Sequence, residues 1–102
     1  MDNAFDYLKT NSLESFSEYP YKGVTGSCKA RNGDGIVSTT GYVRLPAQDP
    51  DALLRAVAQQ PVSVAVASST SAMFFYKTGI ISGSKCDGAV NHAVLAIGYG
   101  HD

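Results

Sequence analysis

The sequence has no tryptophan, only two cysteines and two histidines, and no long hydrophobic run in its 102 residues. The longest nearly apolar stretch, residues 62–67, is interrupted by Ser63 and is far too short to cross a bilayer. We therefore predict no membrane span. At 44% hydrophobic and 17% charged residues, the composition is that of an ordinary globular domain.

Neither sign of charge predominates. Lys and Arg total 8 against 9 for Asp and Glu, which gives a net charge of −1, and no basic run could neutralise a phosphate backbone. The sequence therefore predicts no nucleic-acid binding. The first residues, Met-Asp-Asn-Ala, lack the basic start and apolar core of a secretory signal, so we expect none within this chain.

The two cysteines, Cys28 and Cys86, lie far apart in the sequence. Neither belongs to a CxxC pair or to a spaced set of Cys and His that could hold zinc. We predict neither a metal site nor a cofactor. From the residues alone, the two cysteines are either small buried hydrophobic side chains or disulfide partners.

The first part of the chain predicts a helix, an irregular connection and a strand. Residues 1–10 place Met1, Phe5 and Leu8 at helical spacing. Residues 11–35 are rich in turn residues and form a long connection, which usually indicates a function, a disulfide or missing neighbours. Residues 36–45 are rich in β-branched and aromatic side chains and predict a strand.

The second part predicts two helical segments and two strands. Asp49 and Pro50 provide a helix cap and a proline at the first helical position, and Pro61 ends the helix. The expected elements are a helix over residues 50–59 with Leu53, Ala56, Val57 and Gln60 on one face, an alternating strand at 62–66, a helical turn at 73–76 and a strand over 91–99.

His92 is the one candidate for chemistry within the last predicted strand, where apolar residues surround it. A histidine on an apolar strand is more often a hydrogen-bonded structural residue than a catalytic base. The residue pattern alone leaves both interpretations open.

Several blocks of sequence together point to a known family. The opening Met-Asp-Asn-Ala-Phe is followed by Tyr-Pro-Tyr, Gly-Ser-Cys, Gln-Pro-Val-Ser-Val-Ala, Phe-Tyr-Lys-Thr-Gly-Ile and Asn-His-Ala-Val-Leu-Ala-Ile-Gly-Tyr-Gly. In this order, and over nearly the whole chain, they closely resemble papain-like cysteine proteases of the cathepsin-L-like or plant type.

The resemblance implies a partial papain-like fold of the α+β class. One helix of the left domain would be joined to much of the right-domain antiparallel, barrel-like sheet, which carries a short helix. Residues 1–102 would form a partial peptidase domain, with the left-domain helix and connection in 1–35 and the β-rich right-domain part in 36–102.

The resemblance also implies a catalytic role for His92, as the general base and acid of a Cys-His pair. In the family, the nucleophilic cysteine belongs to a Cys-Gly-Ser-Cys-Trp block that would lie before Met1. The family's Asn-Ser-Trp-Gly block, whose asparagine orients the histidine, would lie beyond Asp102. We therefore expect this chain alone to be inactive.

Neither cysteine of the chain matches that nucleophile. Cys28 is followed by Lys29, where the nucleophile block has tryptophan, and it follows the Tyr-Pro-Tyr segment as a different family cysteine does. The resemblance implies that Cys28 has a disulfide partner upstream of the chain and that Cys86 has one downstream.

The resemblance further implies a substrate pocket for the second residue before the scissile bond. Met1, Ala65, Val90 and Ala93 would line this pocket, and Asn91 would stand at its rim. Because these residues carry no charge, the pocket should accept apolar side chains. The alternative is that Ala65 and Val90 are simply core residues of their strands.

These features together predict part of a cysteine endopeptidase that hydrolyses peptide bonds. Its partners would be peptide or protein substrates and the missing N-terminal half of the peptidase. By family resemblance, the location would be lysosomal, vacuolar or extracellular. The alternative is a truncated, non-catalytic homologue that binds peptides or a protein partner, since open strand edges can recruit extended peptides.

Overall fold

A computed structural model describes residues 1–31, 33, 35–82 and 88–100. The chain divides into two compact units, Met1–Arg44 and Leu45–Asp102. Their described elements are a mixture of helix and strand, namely α1 (Asp2–Thr10), α2 (Pro50–Val57), β1 (Val62–Val66), α3 (Ser71–Phe74) and β2 (His92–Ala96). The predicted mixture of α and β structure is confirmed.

In the first unit, helix α1 packs against the aromatic ring of Tyr42. Phe5, half-buried on α1, lies 5.6 Å from Tyr42 between ring centroids. The ammonium group of Lys9 lies 5.2 Å from the same ring, a cation–π contact, and also pairs with Asp6 at 2.6 Å. At the other end of the helix, Arg44 pairs with Asp2. Tyr42 is thus the centre of a small mixed apolar and charged cluster.

The prediction of a strand over residues 36–45 is wrong. Among the described residues, this segment forms a single β-bridge, between Val37 and Leu13. The Thr39 hydroxyl instead exchanges hydrogen bonds with the backbone of Gly41, and the Thr39 N–H donates to the Leu8 carbonyl of α1 (3.1 Å). These residues therefore bond to each other and to α1 instead of to a neighbouring strand. The preference of their side chains for strands takes effect only where a strand partner is available.

The connection after α1 is irregular, as predicted, and side chains close it at two points. The Glu14 carboxylate accepts the backbone N–H of Arg31 (2.7 Å), and the Tyr19 hydroxyl accepts the backbone N–H of Lys29 (3.0 Å). Within this connection, hydrogen bonds to the carboxylate of Glu18 lower its pKa below the ordinary value. The bond from the Ser15 hydroxyl has the larger effect, and the bond from the Ser15 backbone N–H adds to it. The bonds from Arg31 and Lys29 thus join distant parts of the connection without a strand ladder.

The second unit begins with the capped helix that the sequence predicts. The Asp49 carboxylate accepts the backbone N–H of Ala52 (2.9 Å), with Pro50 at the first helical turn. The helix ends at Val57, two residues earlier than predicted, and Gln60 is exposed instead of continuing the apolar face. Pro61 disfavours helical geometry at Gln60, the residue before it, so the helix cannot continue to that position.

Strands β1 and β2 pair in antiparallel fashion, with Val64 opposite Val94 at the centre. The alternation predicted for residues 62–66 is confirmed, since Val62, Val64 and Val66 are half-buried while the residues between them are exposed. Strand β2 is shorter than predicted, covering His92–Ala96 of the expected 91–99. The helical turn expected at 73–76 occurs two residues earlier, as α3, which the Thr70 hydroxyl caps by accepting the Met73 N–H (3.3 Å).

Little of the described chain is buried. Ala52 is the one buried apolar residue among the described residues, and no side chain there is fully inaccessible. Large apolar side chains such as Phe16, Tyr21 and Val43 are mostly exposed. None of the described helices is long and apolar enough to span a membrane.

Substitution of Gly35 by alanine should destabilise the first unit. A Cβ at Gly35 would lie 2.5 Å from the carbonyl carbon of Ser12, and the Gly35 N–H donates to the Ser12 hydroxyl (2.9 Å). We expect Gly35→Ala to lower the free energy of unfolding by about 1–3 kcal/mol, measured by urea denaturation. Gly26→Ala is the matched control, because its Cβ would meet no atom within 4 Å. Equal stability of the two variants would contradict the close approach.

Candidate functional site

His92 is the first residue of β2 and lies opposite Val66, the last residue of β1. Its side chain is exposed. Strand pairing therefore fixes the backbone of His92 on one side, while its imidazole remains open to solvent. A histidine held in this way can exchange protons with a bound molecule, which a buried, hydrogen-bonded histidine cannot do as freely.

The next pair along the sheet brings together two residues of the predicted pocket. Ala65 lies directly opposite Ala93, and both are exposed. Directly opposed residues of antiparallel strands share one face, and successive residues alternate between faces. Ala65 and Ala93 therefore lie on the face opposite to that of Val66 and His92. The sheet end presents a small apolar pair on one face and the histidine on the other.

Asn91 connects the start of β2 to the turn that follows β1. Its backbone N–H donates to the Val66 carbonyl (3.1 Å). Its side-chain Oδ1 accepts the backbone N–H and the hydroxyl of Ser68, both at 2.9 Å, and its Nδ2 donates to the Ser69 hydroxyl (2.7 Å). Sequence reasoning identified Asn91 only as a rim residue and missed both serines.

The remaining predicted site residues occupy three different settings. Val90 precedes Asn91 and is 63% exposed. Met1 lies in the other unit, where it is exposed at the start of α1. Cys28 is exposed and has no disulfide partner within the described part of the chain. Cys86 falls outside the described residues.

The environment of the sheet end is neutral. Ala65, Val90, Asn91 and Ala93 carry no charge, and over residues 1–31, 33, 35–82 and 88–100 no group of three His, Cys, Asp or Glu side chains could hold a metal ion. The arrangement offers an exposed imidazole on one face of the sheet end and a small apolar pair on the other.

Comparison with known proteins defines the class. The pattern described as "Papain family cysteine protease" matches residues 1–102. The chain therefore belongs to the papain family of cysteine proteases. Its partial α+β fold is that of this family, as the resemblance predicted.

The curated relatives are plant and animal cysteine proteases. The chain is 41% identical to the KDEL-tailed cysteine endopeptidase CEP2 of Arabidopsis thaliana, over 100% of this chain and 28% of the relative. It is 41% identical to cathepsin S of Mus musculus, over 98% of this chain and 30% of the relative. The chain thus spans less than a third of the length of these relatives.

Solved structures show the same relationship. The cysteine protease CMS1MS2 of Carica candamarcensis, in complex with E-64, matches with a TM-score of 0.84 and 34% identity, over 97% of this chain and 46% of that one. The bromelain protease of Ananas comosus, in complex with the E64 inhibitor, matches with a TM-score of 0.81 and 36% identity, over 99% and 46%.

The exposure of Cys28 predicts a rapidly reacting thiol in the unreduced 102-residue chain. In a Cys86→Ser variant, a thiol reagent should label one cysteine per chain without denaturant. The variant removes any contribution of the other cysteine. A thiol that reacts only after denaturation would contradict the exposed position of Cys28.

Proposed function

We propose that this chain is the histidine-bearing part of a cysteine endopeptidase and that His92 is its general base and acid. The observation that supports this proposal is the exposure of His92 at the end of the strand pair, one position along β2 from the opposed pair Ala65 and Ala93. A general base must be within reach of the nucleophile and the substrate, which an exposed imidazole allows. Membership of the papain family supplies the reaction class.

The chemistry assigned to His92 follows from the acidity of thiols. A cysteine thiol with a pKa near 8.5 is mostly protonated at neutral pH, and a neighbouring imidazolium stabilises the thiolate that attacks a peptide carbonyl. The same imidazolium then gives its proton to the leaving amine. In this proposal the nucleophile, the oxyanion-binding group and the residue that orients His92 come from outside this chain.

The partner we propose is the remainder of a papain-like domain. Large apolar side chains such as Phe75, Ile80 and Ile97 are mostly exposed, and we propose that this partner covers them. The match to only 46% of the solved relatives agrees with this partner. We also propose that Cys28 and Cys86 form disulfides with it, and that residues 1–35 and 36–102 belong to its left and right domains. The 102-residue chain alone should be inactive.

The second candidate is a non-catalytic homologue that binds extended peptides. Within the described residues the sheet has only two strands, so β1 and β2 each have an outer edge without a strand partner. Such edges can accept an added strand. Catalysis that depends on His92 distinguishes the two candidates.

For location, we propose a lysosomal, vacuolar or extracellular site. The relatives named as a KDEL-tailed endopeptidase and as cathepsin S support a route through the secretory pathway. The proposed disulfides would persist in an oxidising compartment.

The proposal predicts that hydrolysis depends on His92. Because the chain covers 28% of the Arabidopsis endopeptidase, it can replace the matching segment of that relative in a chimera that retains the relative's own upstream and downstream parts. The chimera should cleave a peptide substrate, and His92→Ala should lower kcat by roughly 1000-fold or more, because the thiolate loses its proton partner.

His101→Ala is the matched control, since His101 is the other histidine of the sequence. It should leave kcat unchanged. Full hydrolysis in the His92→Ala chimera would overturn the assignment, and a folded chimera without hydrolysis would favour the peptide-binding candidate.

The neutral pocket predicts an apolar preference at the second residue before the scissile bond. Burial of a leucine side chain contributes roughly 1.5–3 kcal/mol, whereas burial of an unpaired arginine is unfavourable. A substrate library should therefore show kcat/KM at least about tenfold higher for leucine than for arginine. Asn91, at the rim of the pocket, can form a hydrogen bond with an arginine side chain but cannot neutralise its positive charge.

An Ala65→Asp variant should raise the relative kcat/KM for arginine, because it places a carboxylate opposite Ala93. Ser63→Asp adds the same charge on the same face two residues away and should have a smaller effect. Arginine ranked at or above leucine in the parent chimera would contradict the assigned pocket.

A further inference from the structure

The turn after β1 is held by an unusually complete set of side-chain bonds. Asn91 Oδ1 accepts two hydrogen bonds from Ser68, one from the backbone N–H and one from the hydroxyl. A backbone N–H can only donate, so the atom that faces it must be the amide oxygen, which fixes the orientation of the carboxamide. Nδ2 then donates to the Ser69 hydroxyl (2.7 Å). Both lone pairs of the oxygen are used.

The same residue is also held through its main chain. The Asn91 N–H donates to the Val66 carbonyl (3.1 Å), and the following residue, His92, pairs with Val66 in the ladder. The backbone of Asn91 is therefore held through its own N–H and its side chain through the two serines, directly before the residue that enters the ladder. A shift of the turn would move the backbone of His92.

The approach of Gly88 restricts the turn further. A Cβ at Gly88 would lie 3.4 Å from Ala67 Cβ and 3.5 Å from Thr70 Cγ2, and its φ of +152° favours glycine. The residues on either side of the two serines thus lie close to where a side chain at position 88 would extend. Ser68 is itself half-buried.

We propose that Ser68 and Ser69 are positioning residues, whose hydroxyls hold Asn91 and thereby set the location of the His92 backbone in the peptidase. This inference rests on the proposed function of His92. In this role the serines do not act through the pocket residues Ala65 and Ala93. They act on His92 through their hydrogen bonds to Asn91. Because the serine and carboxamide groups are uncharged, the positioning places no additional charge beside the imidazole.

The test uses the chimera with the Arabidopsis relative, with active sites titrated by an E-64-type inhibitor so that misfolded protein is not counted. Ser68→Ala/Ser69→Ala should lower kcat roughly 10- to 100-fold, because small displacements of a catalytic group reduce rates by such factors. KM should change by less than about threefold, since substrate contacts remain. Ser68→Thr/Ser69→Thr keeps both hydroxyls and should restore kcat to within about threefold.

Ser63→Ala is the matched control, as an exposed β1 serine for which the described residues show no side-chain hydrogen bond. It should match the parent chimera. If His92→Ala abolishes activity while Ser68→Ala/Ser69→Ala keeps the parent kcat, the positioning role is wrong and the function of His92 stands. If kcat falls in Ser68→Ala/Ser69→Ala and is equally low in Ser68→Thr/Ser69→Thr, the positioning role of the two hydroxyls is also wrong. An inactive parent chimera overturns the proposed function and this inference with it.

Discussion

The register between β1 and β2 is the constraint on which the candidate site depends. Ala65 faces Ala93 and Val66 faces His92 only in this alignment. Because side chains alternate along a strand, a slip of β1 by one residue would move Ala65 to the face of His92 and the β1 valines to the face of Ala93. The half-buried valines of β1 oppose such a slip, since it would expose them. Ordinary burial therefore maintains the geometry that the chemistry needs.

We infer one physical origin for the exposed apolar side chains and for the exposed His92. Only Ala52 among the described apolar residues is buried, while large side chains such as Phe75, Ile80 and Ile97 remain mostly exposed. The papain-like fold that the chain shares with its solved relatives is about twice its length. We propose that the same partner covers these side chains and supplies the thiol, so that stability and catalysis are completed together.

Local signals in the sequence predicted the elements whose stability is local. The Asp49 cap with Pro50 located the start of α2, and strict alternation located β1. The prediction for residues 36–45 failed because β-propensity does not reveal whether a strand partner is available, and here Tyr42 packs on α1 instead. The roles of His92 and the pocket residues came from family resemblance, as composition could not distinguish a catalytic histidine from a structural one. The contacts of Ser68 and Ser69 with Asn91 join residues more than twenty positions apart, and the hydroxyl-rich run from Ser68 to Ser71 was their only sequence signal.

The central claim is that this chain supplies the proton-transfer half of a Cys-His pair. A crystal structure of the chimera with the Arabidopsis relative, without inhibitor, tests it most directly through the distance from the His92 imidazole to the cysteine sulfur. We expect a ring nitrogen of His92 within about 4 Å of that sulfur, since a base must lie within hydrogen-bond reach of the nucleophile that it activates. A sulfur that contacts a different side chain, with the His92 ring beyond hydrogen-bond reach, would contradict it.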